Sequence, residues 1–253
     1  MEIRVERAGP GGGTETHQVA VTMRTPGHDY ELAAGFLFSE GLVRDWREIH
    51  SLTHCTGPDA QEYNVVSVRL RPGASFDPAF LTRNFYTTSS CGVCGKASLD
   101  AVEIQGCRSI PRDVGPVLAA SMLKGLPDQL RARQELFRRT GGIHAAGVAD
   151  PTGTFAVVRE DVGRHNAVDK AVGHLLLERS LPANDRLLVV SGRTSFEILQ
   201  KALMAGVPMV AAVGAPSSLA VEVARRFGMT LVGFLGEGGF NVYSGEWRVR
   251  EDV

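Results

Sequence analysis

The run LLVVSGRTSFEILQKALMAGVPMVAAV, residues 187–213, decides the fold class of this chain. It opens on LLVV and closes on MVAAV, all-apolar segments that are typical of strands buried on both faces. Between them, Thr194 and Glu197 form a capping-box pattern that predicts the start of a helix, and Gly206 followed by Pro208 predicts its end. This order of elements predicts a parallel pair of strands joined by a right-handed crossover.

The alternation of helices and strands continues on both sides of this run. Before it, residues 115–128 have a helical pattern with a break at Gly125 and Pro127. After it, Ser217 or Ser218 is expected to cap a helix that leads to the last core strand. The predicted helices span residues 127–139 and 166–179, and the predicted strands span residues 143–149, 154–159 and 230–235. This pattern predicts an α/β fold with a mostly parallel sheet between helical layers. The order is similar to that of the three-layer cytidine-deaminase-like fold.

The first part of the chain predicts a smaller α+β domain. We expect strands at residues 2–6, 18–24 and 62–70, and a helix at residues 30–40 that is capped by Asp29. In the second strand, Val19, Val21 and Met23 share one face. The predicted domains are residues 1–110, ending in a Cys-x-x-Cys loop, and residues 111–253.

Composition excludes several classes of function. The chain has 253 residues and a formal net charge of −1, which does not favour binding to nucleic acid or to an anionic membrane. No apolar run approaches the ~18 residues of a membrane span, and the first residues lack the apolar core of a signal peptide. We therefore expect a cytoplasmic protein.

The reactive centre is predicted at Cys91 and Cys94, in the run TSSCGVCGK. Glycines on both sides let the backbone turn tightly and expose the sulfur atoms. A free thiol with a pKa of ~8.5 is mostly protonated at pH 7, whereas the thiolate is the nucleophile. Lys96 and a short helix predicted at residues 97–103 supply positive charge and backbone N–H groups that lower a thiol pKa.

Three other kinds of site could contain such a cysteine pair: a buried structural pair, a zinc half-site and a thioredoxin-like dithiol. The polar, glycine-rich setting disfavours two buried structural cysteines. A zinc half-site needs a second ligand pair, and neither His54 with Cys55 nor Cys107 has that spacing, so we predict no bound metal. A thioredoxin-like dithiol follows a first strand and opens a helix, whereas this pair lies in the middle of the chain.

Polar residues also collect at the starts of two predicted helices. The first start carries Arg164, His165 and Asn166, and the second carries Arg193, Thr194 and Ser195. Helix capping explains part of the pattern, but ligands in open α/β sheets bind outside the carboxyl ends of the strands, where both helices begin. Zinc deaminases hold their metal ligands at such helix starts, and those ligands are missing here. The sequence therefore favours a nucleotide pocket over deamination.

The glycine-rich run GFLGEGGFNVYS, residues 233–244, follows the last core strand. Its glycines suit a loop that lies against a phosphate or a planar ring. An ordinary surface turn is the alternative.

Five runs together resemble one family. They are TSSCGVCGK, EDVGRHNAVDK, SGRTSFEIL, GFNVYS and RTPGHDYELAAGFLFSEGL. In their order along nearly the whole chain, they resemble the formate dehydrogenase accessory sulfurtransferase family, FdhD. The resemblance implies a cytidine-deaminase-like domain joined to a smaller one, and a homodimer, which also agrees with the prevalence of two-fold oligomers.

The resemblance also implies an activity, that of a sulfur carrier or sulfurtransferase. Sulfur is received as a persulfide from a cysteine desulfurase and passed to the molybdenum (or tungsten) bis(molybdopterin guanine dinucleotide) cofactor, the cargo, before that cofactor enters formate dehydrogenase. Cys91 matches the persulfide cysteine and Cys94 its helper. The cofactor-binding segment matches Phe234, Leu235, Gly236, Glu237, Gly238 and Gly239.

Two rival functions come from other classes. A cofactor-binding chaperone would hold the dinucleotide without transferring sulfur, and the thiol pair favours transfer. A zinc or nucleotide hydrolase is disfavoured by the missing ligands. Whether the chain transfers sulfur or only binds the cofactor, a guanine nucleotide is the expected surrogate ligand for the dinucleotide.

Overall fold

The computed structural model describes residues 1–9, 11–55, 63–74, 76–77 and 107–252. Cys91, Cys94 and the helix predicted at residues 97–103 lie outside these ranges. Within the described ranges, no helix combines the length and the apolar character needed to cross a bilayer.

The elements of the described chain alternate as the sequence predicts for its second half. The strands are β1 (Glu2–Ala8), β2 (Thr14–Val21), β3 (Ile49–His54), β4 (Val65–Leu70), β5 (Leu118–Ala119), β6 (His144–Ala149), β7 (Phe155–Asp161), β8 (Leu187–Val190), β9 (Met209–Ala212), β10 (Thr230–Gly236), β11 (Gly239–Ser244) and β12 (Val249–Arg250). The α-helices are α1 (Asp29–Ser39), α2 (Ala120–Ala132), α3 (Glu135–Thr140), α4 (Arg164–Leu177), α5 (Phe196–Met204) and α6 (Ser218–Arg226).

The larger sheet has the strand order β11-β10-β9-β8-β6-β7. Its centre is parallel, because β9 pairs parallel with both β8 and β10. The outer pairings are antiparallel: β6 with β7 and β8, and β11 with β10. β7, β8, β9 and β10 therefore run in one direction, which confirms the predicted α/β class, and the sheet is mixed with a parallel centre. The reversed strand β6 begins at the edge where those four strands end.

Alternate side chains of the buried strands pack against different helical layers. On β8, Leu187 and Val189 join α2 in one hydrophobic cluster, whereas Leu188 and Val190 join α4, α5 and α6 in another. All four are at most 2% exposed. Because successive strand residues point to opposite faces, an all-apolar strand needs apolar cover on both. The sheet accordingly lies between two layers of helices.

The smaller sheet, with the order β2-β1-β4-β3, is joined to the larger one through helices α1 and α4. The two helices cross at Gly35 and Gly173. A β-carbon on Gly35 would overlap the carbonyl oxygen of Asp169, and one on Gly173 would overlap that of Glu31. The helix backbones are thus in direct contact, and one hydrophobic cluster runs through both parts. The domain boundary near residue 110 stays a prediction.

The helix predicted at residues 127–139 is wrong in its bounds. α2 contains Pro127 in its interior, and a separate short helix, α3, follows it. The break expected at Gly125 and Pro127 does not form. Leu123, Leu126 and Leu130 line one face of α2 and are buried, and this packing outweighs the cost of an internal proline.

Near the start of the chain, a predicted cap and a predicted strand end are also wrong. His28, at φ 57°, is the N-cap of α1, and Asp29 instead pairs with Arg24 at 2.9 Å. That pairing diverts the carboxylate from the helix backbone. β2 ends at Val21, which is 71% exposed, and Met23 beyond it is 85% exposed, so neither is buried as Val19 is.

The predicted cap of α5 is wrong, and that of α6 is confirmed. The N-cap of α5 is Ser195, and Thr194 is buried in a short bridge beside the β9 loop, where its N–H donates to the carbonyl of Ala215 at 3.2 Å. Pairing between the two loops thus takes Thr194 out of the capping position. Ser217 caps α6, because its Oγ accepts from the N–H of Ala220 at 3.2 Å.

The glycine-rich run at residues 233–244 is a β-hairpin and not a loop. β10 ends at Gly236, which pairs with Gly239 at the start of β11, and Glu237 and Gly238 form the turn between them. Gly239 has φ 140°, a value that side chains disfavour. Glycines at a two-residue turn serve the hairpin geometry, which the interpretation as a loop missed.

Candidate functional site

One edge of the larger sheet gathers most of the predicted pocket residues. β7 ends there at Asp161, and β8 and β9 lead into loops that begin at Ser191 and Val213. The reversed strand β6 contributes His144, which pairs with Asp161 across the sheet. This is the edge at which open α/β sheets bind ligands.

A buried carboxylate holds the first turn of α4 at this edge. Oδ1 of Asp161 accepts from the N–H of Gly163 at 2.9 Å and from Nδ2 of Asn166 at 3.1 Å. Oδ2 accepts from the N–H of Thr25 at 3.1 Å and lies 2.7 Å from Nζ of Lys170. Asp161 is fully buried, and a buried charge needs such partners. The start of α4 and the segment around Thr25 are therefore fixed to one point.

Asn166 faces that N-terminal segment. Besides its bond to Asp161, its Nδ2 donates to the carbonyl of Met23 at 2.7 Å, and its Oδ1 accepts from Oγ1 of Thr22 at 3.3 Å. These bonds engage both polar atoms of the amide. The Asn166 side chain thus braces the N-terminal segment against α4 at the rim of the site.

The starts of α4 and α5 meet at His165 and Ser195, whose Nε2 and Oγ atoms lie 2.9 Å apart. Neither helix is capped by the side chain of its N-cap residue, Gly163 or Ser195. Arg164 adds a guanidinium beside this meeting point. Helix N-termini and guanidinium groups are groups that bind anions, and the carboxylates of Asp161 and Glu197 lie at the same two helix starts.

His165 is neutral at pH 7 in this setting. Burial and then Arg164 lower its pKa to about 4, with Lys201 and His144 acting in the same direction. The carboxylate of Glu197, with Oε2 3.8 Å from Nε2, acts against them. Burial also lowers the pKa of His144, and Arg164 contributes.

A buried ion cluster beneath the two helix starts fixes their spacing. Nζ of Lys201, on α5, lies 2.9 Å from Oδ1 of Asp169, on α4, and 3.3 Å from Oε1 of Glu40, which follows α1. Burial opposes the charge on Lys201, but Asp169 and Glu40 outweigh it and raise the lysine pKa. The pairing ties α1, α4 and α5 together one to two turns from His165 and Ser195.

The loops after β8 and β9 touch at two glycines. A β-carbon on Gly192 would lie 3.1 Å from Nδ1 of His144, and one on Gly214 would lie 2.9 Å from the backbone nitrogen of Arg193. The N–H of Gly214 donates to the carbonyl of Gly192 at 3.1 Å. Side chains here would push the loops apart, so the glycines allow His144 and the exposed Arg193 to share this edge.

The hairpin of β10 and β11 continues the same edge. The N–H of Phe234 donates to the carbonyl of Gly214 at 3.2 Å, and this residue has φ 53° and a half-exposed ring. Leu235 is buried in the core beneath. Glu237 and Gly238 are exposed at the turn.

The structure thus places the predicted pocket residues along one edge but in different roles. His165 and Ser195 are in contact, Arg193 and Phe234 are exposed, and the side chains of Thr194 and Leu235 are buried. Sequence reasoning missed His144 as a site residue. In the sequence, His144 stands at the start of a predicted strand. That start lies at this edge of the sheet only because β6 runs antiparallel to its neighbours β7 and β8.

The cysteine pair lies outside the described residues, so the roles of Cys91 and Cys94 stay predictions. Cys107 packs against the core, and burial raises its pKa to about 12. Its thiol is therefore protonated at pH 7 and a poor nucleophile. In the described part of the chain, no three His, Cys, Asp or Glu side chains are grouped so as to hold a metal ion.

Known proteins are similar to this chain in sequence and in fold. The sulfur carrier protein FdhD of Streptomyces avermitilis is 54% identical over 235 residues, covering 91% of this chain and 83% of the relative. The protein of the same name from Mycobacterium tuberculosis is 50% identical over 250 residues, covering 96% and 87%. The one from Sulfurisphaera tokodaii is 42% identical over 231 residues, covering 91% and 84%.

The fold is matched by the crystal structure of a candidate formate dehydrogenase accessory protein from Desulfotalea psychrophila. The TM-score is 0.68 at 24% identity, over 99% of both chains. A family model, that of the FdhD/NarQ family, matches residues 14–250. Since this match covers most of the chain and the relatives align over most of their length, the chain belongs to the FdhD/NarQ family.

Proposed function

We propose that this chain is a sulfur carrier that serves formate dehydrogenase. It takes persulfide sulfur from a cysteine desulfurase onto Cys91 and passes it to the molybdenum bis(molybdopterin guanine dinucleotide) cofactor. Relatives named as sulfur carriers support the activity. The structural observation that carries the proposal is the meeting of two helix starts at His165 and Ser195, which suits a ligand with a diphosphate.

Loading of the carrier is a thiolate attack. The Cys91 thiolate attacks the outer sulfur of the desulfurase persulfide, the donor S–S bond breaks, and the donor cysteine leaves as a thiolate. A new S–S bond forms on Cys91. Cys94 then has two candidate roles. It attacks Cys91, which releases hydrosulfide and leaves a Cys91–Cys94 disulfide, or it only positions its neighbour.

The sheet edge is the proposed site for the dinucleotide of the cargo. Arg193 and the backbone N–H groups at the start of α5 would contact the diphosphate, since charge-assisted hydrogen bonds suit phosphate oxygens. The half-exposed ring of Phe234 offers a face on which a guanine base can stack. The cargo supplies the metal centre that accepts the sulfur.

Peptide mapping by mass spectrometry tests the carrier role. The full chain is incubated with a cysteine desulfurase and cysteine, and we expect one added sulfur atom on Cys91. Cys91→Ala should abolish loading and the activation of formate dehydrogenase, whereas Cys94→Ala should load but discharge slowly. Cys107→Ala is the matched control and should behave as wild type. Full activation by Cys91→Ala would sink the assignment, and an adduct only on Cys94 would reverse the two roles.

A cofactor chaperone without sulfur transfer uses the same edge and gives a different result. In that case the Cys91→Ala protein still activates formate dehydrogenase, while variants of the sheet edge do not.

The proposed assembly is a homodimer, and light scattering of the purified chain measures its mass in solution.

A further inference from the structure

Helix α1 of the smaller part contacts both of the helices whose starts meet at the sheet edge. Along its length it crosses α4 at Gly35 and Gly173, where the two backbones are in direct contact. Just after its last residue it reaches α5, because Oε1 of Glu40 lies 3.3 Å from Nζ of Lys201. The smaller part is thus joined to α4 by close packing and to α5 by an ion pair.

Lys201 is held by two anchors on two different helices. Besides the contact with Glu40, its Nζ lies 2.9 Å from Oδ1 of Asp169 on α4. Beside it on α5, Nε2 of Gln200 lies 3.4 Å from the carbonyl oxygen of Ser39. Lys201 is 4% exposed, and a cation buried so deeply keeps its partners, since separation would leave it unpaired away from water. One anchor would let α5 pivot about the contact, whereas two anchors on crossing helices also fix its direction.

The direction of α5 decides where its first residues lie at the sheet edge. Lys201 comes less than two turns after Ser195, so a tilt about Lys201 moves Ser195 relative to His165, whose Nε2 lies 2.9 Å from Oγ. We propose that Glu40 is a positioning residue for the sheet-edge site, which acts through Lys201 to hold the start of α5 against the start of α4. The ligand of this site is that of the proposed function, on which the inference rests.

The charge of Glu40 by itself would have the opposite effect on an anionic ligand. Removal of a negative charge makes the surroundings of the site more positive, and this favours binding of a diphosphate. Loss of the anchor displaces the start of α5 and weakens binding. The sign of the change in affinity therefore separates positioning from electrostatics.

Calorimetry of the full chain with GDP compares Glu40→Ala with the matched control Glu6→Ala. Glu6 also pairs with a cation, Arg69 at 3.0 Å, but within the smaller sheet, and the two glutamate side chains are similarly exposed, at 21% for Glu6 and 25% for Glu40. Glu40→Ala should weaken GDP binding by roughly three- to ten-fold, and Glu6→Ala should stay within about two-fold of wild type. Glu40→Gln keeps an acceptor oxygen for Lys201 and should recover part of the loss. Equal or tighter binding by Glu40→Ala, or an equal loss in both alanine variants, would overturn the proposal.

The position of α5 is also measurable in the free protein, by the nuclear Overhauser effect between the ring protons of His165 and the β protons of Ser195. We expect a weaker effect in Glu40→Ala than in wild type and an unchanged effect in Glu6→Ala. An unchanged effect in Glu40→Ala would overturn the positioning role. Absence of GDP binding by wild type would end the nucleotide-site proposal, and the comparison in the free protein then decides the positioning role alone.

Discussion

Arg193 is the exposed cation at the start of α5, and the proposed diphosphate contact makes a prediction at the scale of one residue. Arg193→Ala should weaken GDP binding about ten-fold or more, since a charge-assisted hydrogen bond is worth roughly 1.5–3 kcal/mol. Calorimetry measures the loss. Arg47→Ala is the matched control, because Arg47 pairs with Asp45 at 2.8 Å in a different part of the chain. Equal affinities of wild type and Arg193→Ala would remove Arg193 from the site.

His165 makes a second prediction at this scale, on pH. Its folded pKa of about 4 lies below the ~6.5 of an unfolded histidine, so the unfolded chain binds the proton first and stability falls as pH drops from about 6.5 to 4. Because the side chain is 36% exposed, we expect only about 1 kcal/mol of this loss between pH 7 and 5. Urea unfolding of wild type and His165→Gln at both pH values measures it, and equal losses in the two proteins would contradict the shift.

At the scale of elements, the crossing of α1 and α4 depends on the absence of a side chain. Gly35→Ala places a methyl group against the backbone oxygen of Asp169, which cannot yield as a side chain does, and should cost about 1–3 kcal/mol or more. Gly125→Ala in α2 is the control. Its β-carbon would meet only Nε2 of Gln129, at 3.8 Å, and should gain roughly 0.5–1 kcal/mol. Urea unfolding measures the free energy of unfolding of both variants. An unchanged value for Gly35→Ala would contradict the close crossing of the two helices.

At the scale of the whole molecule, Arg248 joins residues 111–114 to the segment between α6 and β10. It is 1% exposed and donates to the carbonyls of Pro111, Val114 and Gly228 at 2.7–2.9 Å. Arg248→Leu would remove the guanidinium donor from all three carbonyls, of which only that of Pro111 keeps another in the described part of the chain, the N–H of Val114 at 3.0 Å, and should cost about 3–5 kcal/mol, whereas Arg248→Lys should cost less. Thermal unfolding compares the two variants. An unchanged midpoint for Arg248→Leu would show that other contacts hold residues 111–114.

The sequence by itself determined the layered core. The runs LLVV and MVAA are buried on both faces as predicted, and Gly206, at positive φ, follows the helix that it was expected to end. These signals are local, because periodicity and glycine conformation depend on neighbours along the chain. The motifs that resemble FdhD likewise indicated the family, and they located the sheet edge that gathers His165 and Ser195.

Only the tertiary structure decided the roles of the polar residues. Asp161 and Lys170 stand in a charged run, yet they form a fully buried pair, and Asn166 braces the N-terminal segment. His144 enters the site because β6 is reversed. Asp161 and Lys170 both bond to the backbone of Thr25, and Asn166 bonds to that of Met23, far away in sequence. Removal of a charge from water is tolerated only where such a partner is present, and no local pattern records that partner.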